Sequence, residues 1–497
     1  MVGNIGAQNK KRKKEYFDRI AHNRDWWKNR NRYYYDNLER LLSFLIPSEQ
    51  SVLEIGCGTG DLLVSLAPSR GVGVDFSQNM IKEAQKKYPK EKYQTLEFLV
   101  DDAENLHIDE KFDYVVISDL LGELSDIWQA FRNLKDVVNP HSRLVITYFN
   151  ALWEPILYLG EKLGLKMPQD YQNWVSLDDI ENLLNLNGFE VIKKGYSLLF
   201  PKKVYMLSFF LNKILAKLPF FRNFCLVIYL VARPQPKSVS YDGEYSVSVV
   251  VPCRNERGNI QSIVDRLPLM GTHTEIIFVD GNSHDGTVEE IEKVIKDPGS
   301  EKDIKLIHQV PRNSKDGAHH GHMLKLGKGD AVRKGFTSSS DEILMILDAD
   351  LSVPPEDLPK FYCALSEGKG EFINGTRLVY PMEKEAMRFL NKLGNKFFSL
   401  VFTWILDQRI KDTLCGTKVL FKKDYEKIAD NRDYFGDFDP FGDFDLLFGA
   451  AKQNLKIVEL PIRYHRRTYG EIKIQRFRHG LLLFKMSIIA MRKIKFR

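Results

Sequence analysis

Residues Ile343–Pro359 read ILMILDADLSVPPEDLP, and the reading of the whole chain works outward from them. Five apolar residues run straight into Asp348-Ala349-Asp350, and prolines follow at once. A short apolar run closed by breakers predicts a fully buried strand in a parallel sheet. Residues two apart share a face of a regular strand, so Asp348 and Asp350 can aim at one ion, and Val353-Pro354-Pro355 supplies a turn just beyond them. Two hard oxygen ligands at a strand's carboxyl end suit Mg²⁺ or Mn²⁺, which bind a few carboxylates together with a substrate's phosphates. An Asp-x-Asp alone equally describes a strand end with two solvated acids, so the surroundings decide.

Those surroundings repeat one pattern. Tyr245–Val251 leads into Pro252-Cys253-Arg254-Asn255-Glu256, and Glu275–Val279 leads into Asp280-Gly281-Asn282-Ser283. Both predict strands with polar turns at their carboxyl ends, where a nucleotide can sit. Lys328–Phe336 predicts a helix with a basic entry, and Phe372–Leu378 (FINGTRL) a further strand carrying Arg377.

This set resembles the family-two glycosyltransferases of the A-type nucleotide-sugar fold, and among them the polyprenyl- or dolichyl-phosphate sugar synthases, from about Tyr245 to Arg478. The resemblance implies a nucleotide-sugar donor and a lipid-phosphate acceptor. It places Pro252, Asn255, Glu256 and Asp280 in the nucleoside pocket, with Lys328 also on the donor side. Asp348 and Asp350 would hold the metal, and Arg377 and Arg388 would meet phosphates. Lys418, Arg466 and Lys473 lie in the segments Asp412–Lys418 (DTLCGTK) and Arg466–Lys473 (RRTYGEIK), which match loops near the acceptor. The pattern departs where Gly281 replaces a second aspartate, where Ser352 stands in place of a further metal ligand, and at Thr417-Lys418. A phosphate monoester is already an anion and attacks without a general base, so its main need is positive charge to seat it. Asp412 or Asp443 is the base candidate if the acceptor is instead a hydroxyl. Three histidines in Gly317–His322 (GAHHGH) read as a loop rather than a metal site.

The first half has its own signature. Val52–Gly60 (VLEIGCGTG) is a strand carrying Glu54 and ending in a loop with Gly56, Gly58 and Gly60. Glycines there permit positive φ and close backbone approach to a ligand. Val72–Asp75, Phe98–Ala103 and Phe112–Ser118 predict three more strands, each with an acid at or just beyond its end. Such strand–helix alternation predicts a doubly wound parallel sheet. Residues 15–235 resemble class I S-adenosylmethionine-dependent methyltransferases. The glycine loop would then cradle the methionine part, Asp75 the ribose, and Asp102 and Ala103 the adenine, with Asp119 near the reaction centre. A nicotinamide-binding domain is the rival reading of the glycine loop.

The expected fold is therefore α/β in two domains, a Rossmann-like methyltransferase sheet followed by an A-type nucleotide-sugar fold. The domains run over residues 1–236 and 245–497, joined by a linker at 237–244. A length of 497 residues and 28% charged residues fit this arrangement. The net charge of +6 is small for that size, and no nucleic-acid partner is expected. Five cysteines without a C-x-x-C spacing fit a reducing compartment. No signal peptide or spanning segment is evident. Val204–Phe221 reads as a core helix pair or as a helix lying on a bilayer, and His479–Arg497 as a packed helix or an interfacial one. The expected location is cytoplasmic and peripheral, at the inner face of a membrane. Two alternatives stay open: transfer to a glycan hydroxyl with methyl capping, and a first domain that serves only as a regulatory binding module.

Overall fold

The computed structural model describes residues 2–169, 172–236, 244–297, 302–309, 327–377, 389–434, 442–465, 469 and 476–496. The chain divides into two compact units, one running to Gln235 and the other starting at Pro236. Each contains a seven-stranded sheet.

In the first unit the strands are β1 Ser51–Ile55, β2 Arg70–Asp75, β3 Leu96–Val100, β4 Phe112–Ser118, β5 Val138–Phe149, β6 Phe189–Ser197 and β7 Val227–Pro234. Their order is β3-β2-β1-β4-β5-β7-β6, parallel except for β7, which is antiparallel to both neighbours. Strands β1, β2 and β4 are apolar on both faces because helices cover both sides, as the continuous runs predict. The connections reverse direction between β1 and β4, which opens a crevice at their carboxyl ends. Three helices precede β1, at Val2–Ile20, Arg24–Arg30 and Arg32–Leu45. The last buries Tyr34, Leu38, Leu41, Leu42 and Leu45 at helical spacing.

The second unit contains β8 Val247–Cys253, β9 Thr274–Asp280, β10 Asp303–His308, β11 Ile343–Ile346, β12 Phe372–Thr376, β13 Lys418–Phe421 and β14 Ile457–Pro461. The order is β10-β9-β8-β11-β13-β12-β14, with β13 antiparallel to β11 and β12. The expectation for Ile343 is thus met on one side only, since β11 runs parallel to β8 and antiparallel to β13. Strands β10, β13 and β14 were not read from the sequence. They are short, and only their partners in the sheet make them strands. Because β13 runs backwards, the segment entering it lies at the same sheet edge as the carboxyl ends of β8, β9, β11 and β12.

Two apolar segments take definite form. Val204–Phe221 is not a buried helix pair. It is a broken series of short turns, Leu207–Phe209, Phe210–Ile214 and Leu215–Lys217, with many large side chains exposed. The helix Arg476–Ala490 packs on Phe389–Leu406, burying Leu483, Met486 and Ala490 while Leu481 and Phe484 stay exposed. Among the described residues no helix is long and apolar enough to cross a membrane.

Candidate functional site

At the crevice of the first unit, β1 feeds a loop in which Gly56, Gly58 and Gly60 all have positive φ, at 78°, 53° and 81°. The Gly56 and Cys57 N–H groups donate to the Val74 carbonyl at 2.8 and 3.0 Å, tying the loop to β2. A Cβ on Gly60 would strike the Phe98 ring, whereas one on Gly58 would meet nothing within 4 Å. The space beside Gly58 is therefore open. Asp75, at the end of β2, accepts from the Gly58 N–H at 3.0 Å and the Ser77 N–H at 2.9 Å. Burial raises its pKa, and the two N–H groups and the Arg24 guanidinium oppose that rise. Two N–H bonds leave its carboxylate lone pairs for ribose hydroxyls.

Glu54 is buried in β1, and its Oε2 has no hydrogen-bond partner. Burial pushes its carboxyl up to about 8, against the opposing pull of Lys28 and the Leu63 N–H. An orphaned acid beside an open glycine loop suits a cationic amino group, which S-adenosylmethionine carries, so the residues fit that cofactor. The raised value sets a pH dependence. The folded state holds a proton that the unfolded chain releases near pH 4.5, so stability falls by about 1.4 kcal/mol per pH unit from there and levels off above about 8. Glu54→Gln should flatten that decline and raise the thermal midpoint of the cofactor-free protein at pH 8, as read by calorimetric melts.

Asp102 and Ala103 follow β3. Asp102 pairs with Lys10 and accepts from the Glu104 N–H at 3.1 Å. Asp119 lies at the end of β4 with φ 53° and accepts from the Tyr34 hydroxyl. Burial raises its pKa, with Tyr34 the strongest opposing group. The helices before β1 thus supply Asp18, Arg24, Lys28 and Tyr34 to the crevice: Ser77 Oγ donates to Asp18 at 2.7 Å, and Lys28 reaches Thr59 at 2.9 Å and Asp61 at 2.7 Å. Their aromatic and charged density was the only sequence signal. Beyond Asp119 a recess open to solvent is lined by Tyr148, Phe149, Gln172, Asn173 and Trp174.

In the second unit one sheet edge collects most of the residues singled out above. Pro252 lies within β8. Asn255, with φ 53°, donates its N–H to Ser283 Oγ and accepts from the His284 N–H, both at 2.9 Å. Glu256 is buried, its N–H donating to Thr287 Oγ1 at 2.9 Å. Asp280, at the end of β9, accepts from the Asn282 N–H at 3.1 Å and the Ser283 N–H at 3.3 Å. These bonds lock the β8 and β9 turns together.

Beside them Asp348 follows β11 and pairs with Lys328 Nζ at 2.6 Å, its side chain 30% exposed. Burial alone would raise its carboxyl, but Lys328, with Lys418 and Arg377, holds it below the usual range. Gly416 is packed so closely here that a Cβ would overlap both Asp348 and Lys328. Asp350 accepts from the Ser352 N–H at 3.0 Å and its hydroxyl at 2.6 Å, so Ser352 orients an acid. Leu351 takes φ 55° to make this turn. Among the described residues no group of three or more His, Cys, Asp or Glu forms a cage. Two carboxylates fit a Mg²⁺ or Mn²⁺ ion that completes its shell with water and phosphate, not a structural ion.

Arg377 and Asp412 form a buried pair. The Arg377 Nε and Nη2 donate to the two Asp412 oxygens at 2.7 and 2.8 Å, and its own N–H adds a third bond at 3.0 Å. Asn395 and the Leu414 N–H also donate to Asp412. Despite full burial, the Arg377 charge pushes Asp412 down to about 2. A carboxylate so occupied suits positioning Arg377 and is a poor proton acceptor. The guanidinium lies 5.2 Å from the centre of the Tyr464 ring, a neighbour that no sequence signal announced. Lys418 is buried at the start of β13 and donates to the Cys415 carbonyl at 2.5 Å, near enough to Asp348 to help hold that carboxyl down. Arg388, Arg466, Lys473, the side chain of Asp443 and the histidines of 317–322 lie outside the described residues.

Residues 26–194 match a family model described as a methyltransferase domain, and residues 248–321 and 322–428 match glycosyl transferase family 2. A dolichol-phosphate mannosyltransferase of Pyrococcus furiosus is 30% identical over 235 residues, covering 46% of this chain and 59% of that protein. One of Saccharomyces cerevisiae is 34% identical over 142 residues, covering 26% and 44%. The chain thus spans about half the length of these curated relatives. A solved S-adenosylmethionine-dependent methyltransferase of Thermotoga maritima overlaps with a TM-score of 0.35 at 18% identity, over 44% of this chain and 98% of that one. The chain therefore joins a methyltransferase domain to a glycosyl transferase family 2 domain.

Proposed function

We propose that the second unit transfers a sugar, with inversion, from a nucleotide-sugar donor to a polyprenyl-phosphate-like lipid, and that the first transfers a methyl group from S-adenosylmethionine. The observation that carries the sugar reading is the single sheet edge at which Asp348, Asp350 and Lys328 meet the locked turns of Asn255, Glu256 and Asp280. The likeness to dolichol-phosphate mannosyltransferases supports a lipid phosphate as acceptor. So does the state of Asp412, since an anionic phosphate needs no base. The turns of β8 and β9 hold the nucleoside, and Lys328 contributes charge toward the diphosphate. A bound Mg²⁺ or Mn²⁺, held by Asp348 and Asp350, would neutralise charge on the departing nucleoside diphosphate. Inversion follows for a single displacement.

In the first unit Gly58, Asp75 and Glu54 hold the cofactor, which when bound supplies an electrophilic methyl carbon. Asp119 and Tyr34 border the space for the acceptor. A peripheral position at the cytoplasmic face of a membrane suits a lipid acceptor, and the exposed Leu481 and Phe484 support it.

Two measurements test the halves separately. Mass spectrometry of polyprenyl phosphate incubated with the protein, Mg²⁺ and a panel of nucleotide sugars should detect a lipid-linked sugar, absent when EDTA is added. Product formed only on a free glycan would refute the acceptor. Calorimetry should show one S-adenosylmethionine site, weakened at least about tenfold by Gly58→Val, whose side chain enters the open space. Binding of NADH in its place would overturn the methyltransferase reading.

A further inference from the structure

The first unit leaves a group of large apolar side chains exposed in two neighbouring segments. After β5 the chain runs through Ala151–Trp153 and the helix Glu154–Lys162, none of whose residues is buried. Leu152, Ile156 and Leu159 there are 60%, 53% and 56% exposed. The second segment, the broken turns before β7, exposes Phe209, Phe210 and Phe220 by 62%, 51% and 69%. The two segments adjoin: Trp153 Nε1 donates to the Phe224 carbonyl at 2.8 Å, Asn150 Nδ2 to the Asn223 carbonyl at 2.9 Å, and Lys202 Nζ to the Leu165 carbonyl at 3.4 Å. They form one face. Across residues 198–225 the charged side chains are Lys202, Lys203, Lys213, Lys217 and Arg222, with no Asp or Glu. The adjoining helix adds Glu154, Glu161 and Lys162, so cations outnumber acids six to two over the two segments. Aromatic bulk set among an excess of cations is complementary to an anionic lipid surface, where rings enter the headgroup boundary and lysines meet phosphates.

A second observation ties this face to the site. Phe149, the last residue of β5, lines the pocket beyond Asp119 and is followed directly by the exposed segment. In the same pocket Tyr148 is 3% exposed, and its hydroxyl has no hydrogen-bond partner.

We infer that the methyltransferase unit docks by this face on an anionic bilayer and takes its acceptor from there, a lipid-borne polar headgroup entering the Asp119–Tyr148 pocket. The acceptor class rests on the methyl-transfer reading; the docking does not.

The test uses the full chain with Phe220→Cys in a Cys363→Ser background, carrying an environment-sensitive fluorophore. Vesicles of phosphatidylcholine with phosphatidylglycerol should shift its emission to the blue, and vesicles of phosphatidylcholine alone much less. Phe209→Ser with Phe210→Ser should weaken that partitioning about tenfold or more while S-adenosylmethionine binding by calorimetry stays unchanged. An unshifted label overturns the inference, even if the protein sediments with vesicles through its other unit. A shift that grows with protein concentration in the absence of vesicles also overturns it, because a second copy would then cover the face. Lost cofactor binding with an intact vesicle response refutes the methyl-transfer reading and the acceptor class, and leaves the docking supported.

Discussion

Asp348→Ala is expected to cut sugar transfer about a thousandfold while the fold and S-adenosylmethionine binding survive. The carboxylate stands at the end of a fully buried strand, yet its own side chain is 30% exposed. It is kept ionised by Lys328, which makes it a ligand for a hard cation rather than a proton carrier. Removing it loses several kcal/mol of charge stabilisation at the departing diphosphate, and each 1.36 kcal/mol is tenfold in rate. Lys328, itself 27% exposed, can hydrate once the Asp348 carboxylate is gone, so the stability cost is small. Asp348→Asn separates shape from charge, since it keeps the packing against Gly416 and loses the anion. Initial rates in Mg²⁺ should be equally poor for both variants. Undiminished transfer by either, or wild-type transfer at full rate in EDTA, would defeat the metal role.

The second large effect is on stability. Asp412→Ala should destabilise the second unit by about 3–5 kcal/mol, because it strands a buried guanidinium. Asp412 is wholly buried, and four groups donate to it: the Arg377 side chain and N–H, Asn395 and the Leu414 N–H. Exchange protection of amides in β12 and β13, followed in urea, isolates this unit from the other. The pH dependence follows from the same pair. A carboxyl pushed down to about 2 binds fewer protons folded than unfolded, so its stabilisation is fully present above the unfolded value of 3.8 and is lost as pH falls toward 2. The variant should lack that acid-side loss. Protection within about 1 kcal/mol of wild type would mean that the pair contributes no net stability and that Arg377 is held by other contacts.

Both units were legible as doubly wound sheets because their central strands are buried on both faces and therefore spell continuous apolar runs, as in Val247–Cys253 and Ile343–Ile346. The acids were legible for the same reason: Asp75, Asp280 and Asp348 each terminate such a run, where carboxyl ends gather. Three things were decided only by tertiary structure. Strand β13, four residues long and antiparallel, carries no signal of its own, yet it buries Lys418 and brings Gly416 against Asp348. The Arg377–Asp412 pair spans 35 residues and depends on β12 and β13 being neighbours, so sequence spacing left Asp412 open to a reading as a base. The apolar segment 204–221 has one composition whether buried or exposed. Its exposure follows from broken turns that leave its aromatic rings without a covering layer, a matter of which surfaces the fold has left to offer.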